Sequence, residues 1–349
     1  MKIIIATKNF ERIGMIENAE IIWTTRYYKS GDFEIYFSAT EDNLALINNG
    51  FYVIRDDIEE NNIGIIEDYE IANKPEEGDM ITMTGRLADG YFLNMRVVQK
   101  QTQMSGNVQQ SIRNLIYSNI VNPTDKNRKI NFIKLGELDN TITETLERQS
   151  TGDNLLQLIE EISEEKGIGF KATFKDALIS YEVYKGIDRS YNQSKNPYVV
   201  FSDSYDNLTE AHYIKTSSLA KNFAYVAGEG EGLDRRIVLT YNTAEEPTGE
   251  DRFETWVDQR NISSNNENIT EDELINQMKE EGLENLSTIR EAFEGGVQLR
   301  GYTYREDFDL GDLVQLYKRT WGIGVAMRII ECIESIDKTG TTVVLTFGI

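Results

Sequence analysis

Histidine and cysteine, which often carry nucleophilic or metal chemistry, are scarce in this sequence. His212 is the only histidine, so an HExxH motif and zinc sites with paired histidines are excluded. A Ser-His-Asp arrangement could be assembled with Ser202 or Ser204 and Asp206, but no G-x-S-x-G motif supports it. Cys332 lies within an apolar strand, where we expect a buried small residue and not a reactive thiol. His212 is therefore interpreted as a structural or surface residue.

Two short segments imitate binding loops without meeting their requirements. The segment GEGEG at 228–232 lacks the Lys-Ser/Thr pair of a P-loop, and its glutamates would repel phosphate. The segment DFDLGD at 307–312 resembles the start of a calcium loop. However, Lys318 occupies the twelfth position, where a bidentate glutamate is required, and Gly311 comes one place early. We interpret the first segment as a loop at a strand end and the second as a turn that enters a strand.

Carboxylate chemistry is the remaining possibility, because the chain contains 59 Asp and Glu residues. Glycoside hydrolysis needs a pair of carboxyl groups at a defined separation, and no motif in the sequence singles out such a pair. A carboxylate-based glycosidase that degrades the cell wall therefore stays open as an alternative. The sequence predicts no catalytic residue, no cofactor and no metal ligand.

The charge balance argues against two classes of partner. The chain of 349 residues has 36 Lys and Arg and a formal net charge of −23, and its acidic residues are spread along its whole length. Gripping a nucleic-acid backbone or an anionic membrane requires clustered basic residues, so both functions are disfavoured. No apolar run reaches 18 residues, and the N-terminal MKIIIATKNF has too short an apolar core for a signal peptide. We expect a soluble protein made in a cytoplasm, without a membrane anchor.

The first hundred residues have the period-two pattern of β-strands. Residues 21–28 and 33–37 alternate around a polar turn that contains Gly31, which predicts a hairpin. Further strands are expected at FYVIRDD, GIIEDYEI and DMITMTGRL. Short strands at this spacing are typical of a barrel or a sandwich.

The next hundred residues change to a helical period. Apolar residues recur every three or four positions in SGNVQQSIRNLIYSNIVNP and in TGDNLLQLIEEISEEKG, which predicts two amphipathic helices. Asp153 is expected to cap the start of the second helix and Gly167 its end. GFKATFKDALISYEVYKG then returns to strand alternation, so this region is predicted to be an α+β insertion.

The last 150 residues combine strands with one more helix. Thr270 and Glu273 match a capping box, and the helical pattern continues through Ile289 with a weak point at Gly282. The adjacent Ile329 and Ile330 interrupt the alternation of a long strand, which a β-bulge or burial on both faces would explain. The final TTVVLTFGI alternates up to its last residue, so we expect it to be a core strand with no module beyond it.

The order of these segments resembles the siphophage tail hub family. The resemblance rests on WTTRYYKSGDFEIYF, GRLADGYFLNMRVV, NPTDKNRKINFIKLG, NLLQLIEEISEEKGIGFKATF, KGIDRS, FSDSYDNLTEAHYIKTSSLAKNFAYVAGEG and YREDFDLGDLVQLY, in that order. Hubs of this family form the N-terminal part of tail-associated lysins and tail fibres, and their fold is related to the baseplate hubs of contractile tails. The resemblance covers essentially the whole chain and transfers no active-site residue.

The resemblance implies a mainly β protein with two β-barrel-like tube domains and α+β insertions. The implied bounds are 1–104 for the first tube domain, 105–195 for an inserted α+β domain, 196–255 with 296–349 for the second tube domain, and 256–295 for a helical insertion. Such hubs assemble as trimers whose six barrels match the sixfold tail tube. Many relatives continue into a peptidase or a fibre, whereas this sequence stops after the second tube domain, so no wall-degrading role is expected.

The leading hypothesis is therefore a structural, non-enzymatic protein of the virion tail tip or of a tail-like particle. It would be a homotrimeric hub or cap that joins the tail tube or distal tail protein to a spike, fibre or tape-measure protein. DNA would pass through its channel without specific binding. The alternatives are the cell-wall glycosidase and a receptor module that binds host glycan through exposed aromatic residues, since the chain has 18 Tyr and 14 Phe.

Overall fold

The computed structural model describes residues 3–75, 78–260, 270–286, 290–297 and 301–348. The protein is mainly β, with several sheets and few helices in these residues. The helices are α1 Glu41–Asn49, α2 Ala88–Asn94, α3 Val108–Ile116, α4 Leu155–Lys166 and α5 Glu271–Glu284. The strands begin with β1 Ile3–Ala6, β2 Arg12–Ile16, β3 Glu20–Arg26, β4 Asp32–Ser38, β5 Tyr52–Arg55, β6 Ile63–Ile65, β7 Asp68–Lys74, β8 Gly78–Arg86, β9 Thr102–Asn107, β10 Ile133–Leu135 and β11 Thr145–Ser150. They continue with β12 Gly169–Lys175, β13 Leu178–Tyr184, β14 Val200–Ser202, β15 Leu208–Thr216, β16 Phe223–Ala227, β17 Ile237–Tyr241, β18 Glu254–Asp258, β19 Arg290–Val297, β20 Leu313–Lys318, β21 Ile323–Asp337 and β22 Gly340–Gly348.

The chain divides into two compact units. The larger contains residues 1–212 and 293–348, and the smaller contains residues 213–292. In the smaller unit, α5 packs on a sheet of order β17-β16-β18 through an apolar cluster that includes Val226 and Met278. The segment 213–255, assigned above to the second tube domain, therefore folds with α5. The division into two tube domains and two insertions stays a prediction.

A single large sheet organises the larger unit. Its strand order is β15-β19-β22-β21-β3-β4-β8-β7, and β20 joins β14 to β21. The pairing of β21 with β3 connects strands about 300 residues apart in the chain, from the two predicted tube domains. The predicted hairpin is confirmed, because β3 pairs with β4 and their inward side chains, such as Ile35, are buried.

The final strand is also confirmed as a core strand. Val343, Leu345 and Phe347 are buried on one face of β22, whereas Val344 on the other face is 38% exposed. Ile349 lies outside the described residues. β22 pairs along its whole length with β21.

The break at Ile329 and Ile330 is a β-bulge. The register between β21 and β22 shifts between Ile329 and Glu331, and the carbonyl of the extra residue, Ile330, accepts a 2.9 Å hydrogen bond from the Tyr27 amide. Ile329 and Cys332 are consequently both fully buried, although strict alternation would place them on opposite faces.

A second sheet, of order β2-β1-β5-β6, is covered on both faces. Ile3, Ile5 and Val53 belong to the apolar cluster under the large sheet, whereas Ile4 and Tyr52 belong to the cluster that contains α2, α3 and α4. Burial on both faces explains why β1 and β5 read as continuous apolar runs instead of alternating.

The predicted helices α3 and α4 pack in the apolar cluster that contains Ile4 and Tyr52. α3 and α4 occupy the predicted segments, and Gly167 ends α4 with a positive φ of 67°, as expected. The cap at the start of α4 was predicted wrongly. Asn154, not Asp153, accepts the hydrogen bonds of the first turn, from the amides of Leu156 at 3.0 Å and Gln157 at 3.3 Å. Thr270 and Glu273 do form a capping box on α5. The helix ends at Glu284, with Asn285 as its C-cap, so the predicted continuation towards Ile289 was wrong, and Ile289 itself lies outside the described residues.

A buried ionic cluster lies between the large sheet and the second sheet. Glu334 projects from the inner face of β21 and is 4% exposed. It accepts hydrogen bonds from Arg55 of β5 at 3.0 Å and from Arg305 at 2.6 Å. Burial alone would raise the pKa of Glu334, but the hydrogen bonds and charges of the two arginines lower it below its ordinary value. Arg55 also lies 5.5 Å from the Trp23 ring.

A second buried carboxylate holds the turn between β3 and β4. Asp89 of α2 is fully buried and accepts hydrogen bonds from the Ser30 hydroxyl at 3.1 Å and the Gly31 amide at 3.2 Å. Burial raises the pKa of Asp89 to about 7. Gly31 is required because a Cβ there would lie 2.5 Å from the Thr24 carbonyl oxygen. Helix α2 and the hairpin are thus joined at one point.

Deletion of residues 341–349 should abolish soluble folding. It removes most of β22, exposes an edge of β21 and removes three buried side chains, each worth roughly 1.5–3 kcal/mol. Their sum approaches the net stability of a typical domain, about 5–15 kcal/mol. Circular dichroism on heating tests this expectation, and a truncated protein that melts cooperatively near the full-length temperature would contradict it.

Replacing Glu334→Gln should destabilise the protein by about 3–5 kcal/mol, because Arg55 would remain buried without its carboxylate partner. Glu331→Gln on the opposite face of the same strand is the matched control. Its ion pair with Arg26 is about one quarter exposed, so it should cost less than about 1 kcal/mol. Urea unfolding measures both values, and equal losses would show that burial of the cluster is not what matters.

Replacing Asp89→Asn should change how stability depends on pH. The folded protein keeps the Asp89 proton up to a pKa of about 7, whereas an unfolded aspartate ionises near its ordinary pKa of 3.8. The stabilisation from this group is therefore complete below pH 4 and lost as the pH rises through 7. As the pH rises through that window, the unfolding free energy of the variant should increase relative to that of the wild type by up to about 1.4 kcal/mol per pH unit. Urea unfolding from pH 4 to pH 8 checks this, and the exposed Asp56→Asn should track the wild type.

Candidate functional site

The outward face of β21, β3, β4, β8 and β7 is rich in acidic residues, and we call it the acidic face. Directly opposed pairs place its side chains together: Asp68 opposes Thr84, Thr84 opposes Glu34, Glu34 opposes Ile22, and Ile22 opposes Ser335. Opposed residues share one face of a sheet. Every second residue of each strand therefore contributes to this surface. The residues between them on β21, β3, β4 and the centre of β8 face the core, whereas Tyr69 and Ile71 of β7 are 46% and 49% exposed.

The acidic face has a clear excess of negative charge. Its described acidic residues are Glu20, Asp32, Glu34, Asp68, Glu70, Glu331 and Asp337, and its described basic residues are Arg26, Arg86 and Arg328. Seven acids and three bases give a net charge of −4 for these described side chains.

The three arginines of this face are already engaged, and Arg328 donates to the Gly311 carbonyl at 2.5 Å. Arg26 contacts Asp32 at 2.5 Å and Glu331 at 2.6 Å, and Arg86 contacts Glu67 at 2.5 Å. The hydrogen bond with Arg86 lowers the pKa of Glu67, and the same bond raises that of Arg86. Glu20 and Glu34 form no ion pair within the part of the chain that the structure describes. The unpaired carboxylates therefore set the potential of the face.

A shallow depression of about 500 Å³ lies in the acidic face. It is lined by Glu20, Glu34, Tyr36, Thr82 and Asp337, with the apolar floor supplied by neighbouring isoleucines. The carboxylates of this depression repel phosphate. A polyanion can therefore touch this surface without binding to it.

The residues considered for nucleophilic chemistry have other roles. The Ser202 side chain is buried and accepts a 3.1 Å hydrogen bond from the Ser204 amide, so it stabilises a turn. Asp206 has a positive φ of 52° in the same turn, and His212 is exposed on β15. Cys332 is fully buried, as predicted, and burial raises the pKa of its thiol far above the ordinary value.

The two loop-like motifs are turns. Asp312 is buried, and its carboxylate accepts hydrogen bonds from the Ile187 amide and from Arg189, both at 2.7 Å. It therefore orders the entry into β20, as the sequence predicted. Gly228 and Glu229 of the GEGEG segment pair with Arg236, which makes the segment the connection between β16 and β17.

Metal and membrane features are limited in the described ranges. No group of three or more His, Cys, Asp or Glu side chains in them is arranged to hold a metal ion. Among the helices of those same residues, none is long and apolar enough to cross a bilayer.

Sequence reasoning identified the acidic composition but not the face that carries it. The signal was present, because Glu20, Asp32 and Glu34 stand at the outward positions of the predicted hairpin, and Asp68 and Glu70 alternate in the same way. What the sequence could not supply was the pairing order that brings these strands together.

The fold is similar to several solved structures. One is the tail protein from Neisseria meningitidis MC58, with 13% identity and a TM-score of 0.56, covering 100% of this chain and 96% of that chain. Another is prophage tail protein gp18 from Listeria monocytogenes EGD-e, with 13% identity and a TM-score of 0.55, covering 100% and 94%. A third is the Francisella PdpA-VgrG complex, with 11% identity and a TM-score of 0.53, covering 99% of this chain and 52% of that chain. At these identities the likeness concerns the fold alone.

Sequence comparison gives the family. No curated protein sequence matches the chain. The family described as Siphovirus ReqiPepy6 Gp37-like protein matches residues 2–349, which confirms the resemblance to siphophage tail proteins over the whole chain. The protein is therefore a phage tail protein of siphovirus type and belongs to the Siphovirus ReqiPepy6 Gp37-like family.

Proposed function

We propose that this protein is a trimeric hub at the distal end of the tail, and that its acidic face lines the channel through which DNA leaves. The hub joins the tail tube or distal tail protein to a spike or fibre. The observation that carries the proposal is the acidic face itself, a broad sheet surface whose unpaired carboxylates are displayed on one side while its other side is core.

The charge of this surface suits a conduit for DNA. Double-stranded DNA carries about one negative charge per 1.7 Å of its axis, so basic residues along a channel would hold it and slow its exit. Carboxylates repel the phosphates and keep the genome in motion. In the trimer, three copies of the acidic face would act together, and we propose that their acidic excess exceeds that of the outer surface.

The shape of the sheet supports the same role. β3, β4, β7 and β8 come from the first predicted tube domain, and β20, β21 and β22 come from the second, yet they form one sheet. A wall that is continuous across both tube domains would let three subunits enclose a channel with six similar segments. The two tube domains of one subunit are then held in fixed register by the β21–β3 pairing.

The function proposed is structural and not enzymatic. Among the described carboxylates, those most deeply buried serve the fold: Glu334 balances two arginines, Asp312 orders a turn, and Asp89 holds the hairpin. The open carboxylates lie on a broad sheet surface and not in an enclosed cleft, and the family is one of tail proteins. We therefore assign the acidic face to passage of DNA and not to hydrolysis.

Reversing the charge of the acidic face should make it adhere to DNA. In the variant Glu20→Lys/Glu34→Lys/Asp337→Lys, the purified protein should bind double-stranded DNA with an affinity that falls with salt. Each phosphate contacted should make the slope of log binding constant against log salt concentration more negative by roughly 0.9. Particles assembled with this variant should eject their DNA more slowly than wild-type particles, as measured by the fluorescence of a DNA-binding dye added outside.

The control variant Glu245→Lys/Glu250→Lys/Asp272→Lys makes the same change of charge at exposed positions of the smaller unit. It should leave the ejection rate near the wild-type value. Equal slowing by both variants would mean that total charge matters and position does not. Electron microscopy of the purified protein gives an independent check, since the proposal requires a threefold ring with a central hole lined mainly by acidic residues.

A further inference from the structure

Tyrosines from three segments of the larger unit form a surface cluster, which we call the tyrosine patch: Tyr191, Tyr198, Tyr205 and Tyr302. Tyr191, Tyr198 and Tyr205 are 56%, 47% and 62% exposed. The rings of Tyr191 and Tyr198 meet edge to face at 5.3 Å. Slight burial raises the pKa of Tyr191, and the neighbouring phenols of Tyr205 and Tyr302 raise it further, as expected for rings in close proximity.

The segment that carries two of these tyrosines is ordered by its own side chains. The Asp188 carboxylate accepts hydrogen bonds from the Ser190 amide at 2.8 Å and hydroxyl at 2.7 Å. The side-chain Oε1 of Gln193 accepts a hydrogen bond from the Asn196 amide at 2.7 Å, and the Asn196 side chain donates to the Asp188 carbonyl at 2.9 Å. The phenols are therefore positioned before any partner arrives, which lowers the entropic cost of binding.

The core anchors the patch from below. The Tyr302 hydroxyl accepts a 3.1 Å hydrogen bond from the Val200 amide, and its ring meets Phe201 at 5.8 Å. Phe201 in turn contacts Phe308 at 5.5 Å and Phe347 of the final strand at 5.8 Å. The exposed rings thus stand on a packed aromatic layer and not on a mobile loop.

The segment of the patch that carries Tyr191 and Tyr198 is poor in charge, unlike the chain as a whole, whereas Tyr205 lies between Asp206 and Asp203, which contacts Lys318 at 3.4 Å. Residues 190–202 contain one charged residue, Lys195, in a chain in which 27% of residues are charged. Nearby Arg189 is paired with Asp312 at 2.7 Å. Copies that each carry a net charge of −23 repel one another, so they can approach closely only where acidic side chains are missing.

The composition of the patch fits a protein partner. The cores of protein interfaces are enriched in tyrosine and depleted of Glu, Asp and Lys, and tyrosine is frequent among the residues that contribute most to affinity. Three half-exposed phenols offer about 300 Å² of surface. A stable contact buries about 800 Å² on each partner, so the patch would be its centre and not its whole extent.

We infer that the tyrosine patch is the centre of the contact between neighbouring copies of this chain. The inference rests on the trimer of the proposed function and names the surface that holds it together. In a closed ring of three, the contact is heterologous, so the patch of each copy binds a different surface of the next. Loss of the patch then weakens all three contacts at once.

Sedimentation equilibrium of the full-length chain tests the inference. The wild type should be a trimer, and raising the salt concentration should strengthen its association, because salt screens the repulsion between acidic copies. The variant Tyr191→Ser/Tyr198→Ser/Tyr205→Ser should associate at least roughly tenfold more weakly. The corresponding three Tyr→Phe changes keep the rings and should stay trimeric. The control Leu239→Ser/Trp256→Ser removes equally exposed apolar side chains from the smaller unit and should also stay trimeric.

Other results would overturn the inference in distinguishable ways. A wild-type trimer together with an equally tight serine variant refutes the patch as the contact and leaves the proposed hub intact. A wild type that is monomeric at every protein and salt concentration refutes the trimer, and the inference with it. If the serine variant fails to fold, the single change Tyr205→Glu at the most exposed ring replaces it, and this variant should also associate at least roughly tenfold more weakly than the wild type. A trimer that binds purified wall polysaccharide through these tyrosines would assign the patch to glycan instead.

Discussion

One buried carboxylate determines how the larger unit is assembled. Glu334 is removed from water between the large sheet and the sheet of β1, β2, β5 and β6, and it is stable there only because two guanidinium groups reach it. Arg55 is supplied by one sheet, and Arg305 by the segment before β20, where the backbone adopts a left-handed φ of 70°. A buried charge without partners is costly, so three distant segments must meet at one point.

This constraint gives the large sheet two unlike faces. The inner face must be apolar apart from the ionic cluster, because the doubly covered second sheet packs on it. The outer face carries no such requirement, and acidic side chains occupy its alternate positions. The bulge at Ile330 allows the long strand β21 to serve β22 and β3 in one sheet while burying both Ile329 and Cys332. Packing on one side therefore leaves the other side available for function.

The distribution of charge connects the fold with its role in a phage tail. In the hub proposed above, a strongly acidic chain would repel the DNA that passes it, but the same charge opposes contact between copies. Self-association then requires surfaces where the charge is interrupted, and the ordered, aromatic and nearly uncharged segment 190–202 is one such surface. In the proposed hub, the acidic face would therefore repel DNA, and the tyrosine patch would allow acidic copies to associate.

Local patterns in the sequence were enough to predict the strand hairpin, the helices α3 and α4, the capping box, the buried Cys332 and the buried final strand. These features follow from local periodicity and from end signals within a few residues. The sequence also supported the family resemblance, which the match over residues 2–349 confirms. The assignment of the cap to Asp153 was wrong because neighbouring polar residues compete for one position, and backbone geometry chose Asn154.

Only the tertiary structure decided which strands are neighbours. The pairing of β21 with β3, the meeting of Arg55 with Glu334 and the gathering of acidic residues on one face all join positions far apart in the chain. A period-two pattern states which side of a strand is polar, but it does not state which strand lies beside it. Local patterns depend on a few adjacent residues, whereas a shared surface depends on long-range contacts whose energies only the folded chain brings together.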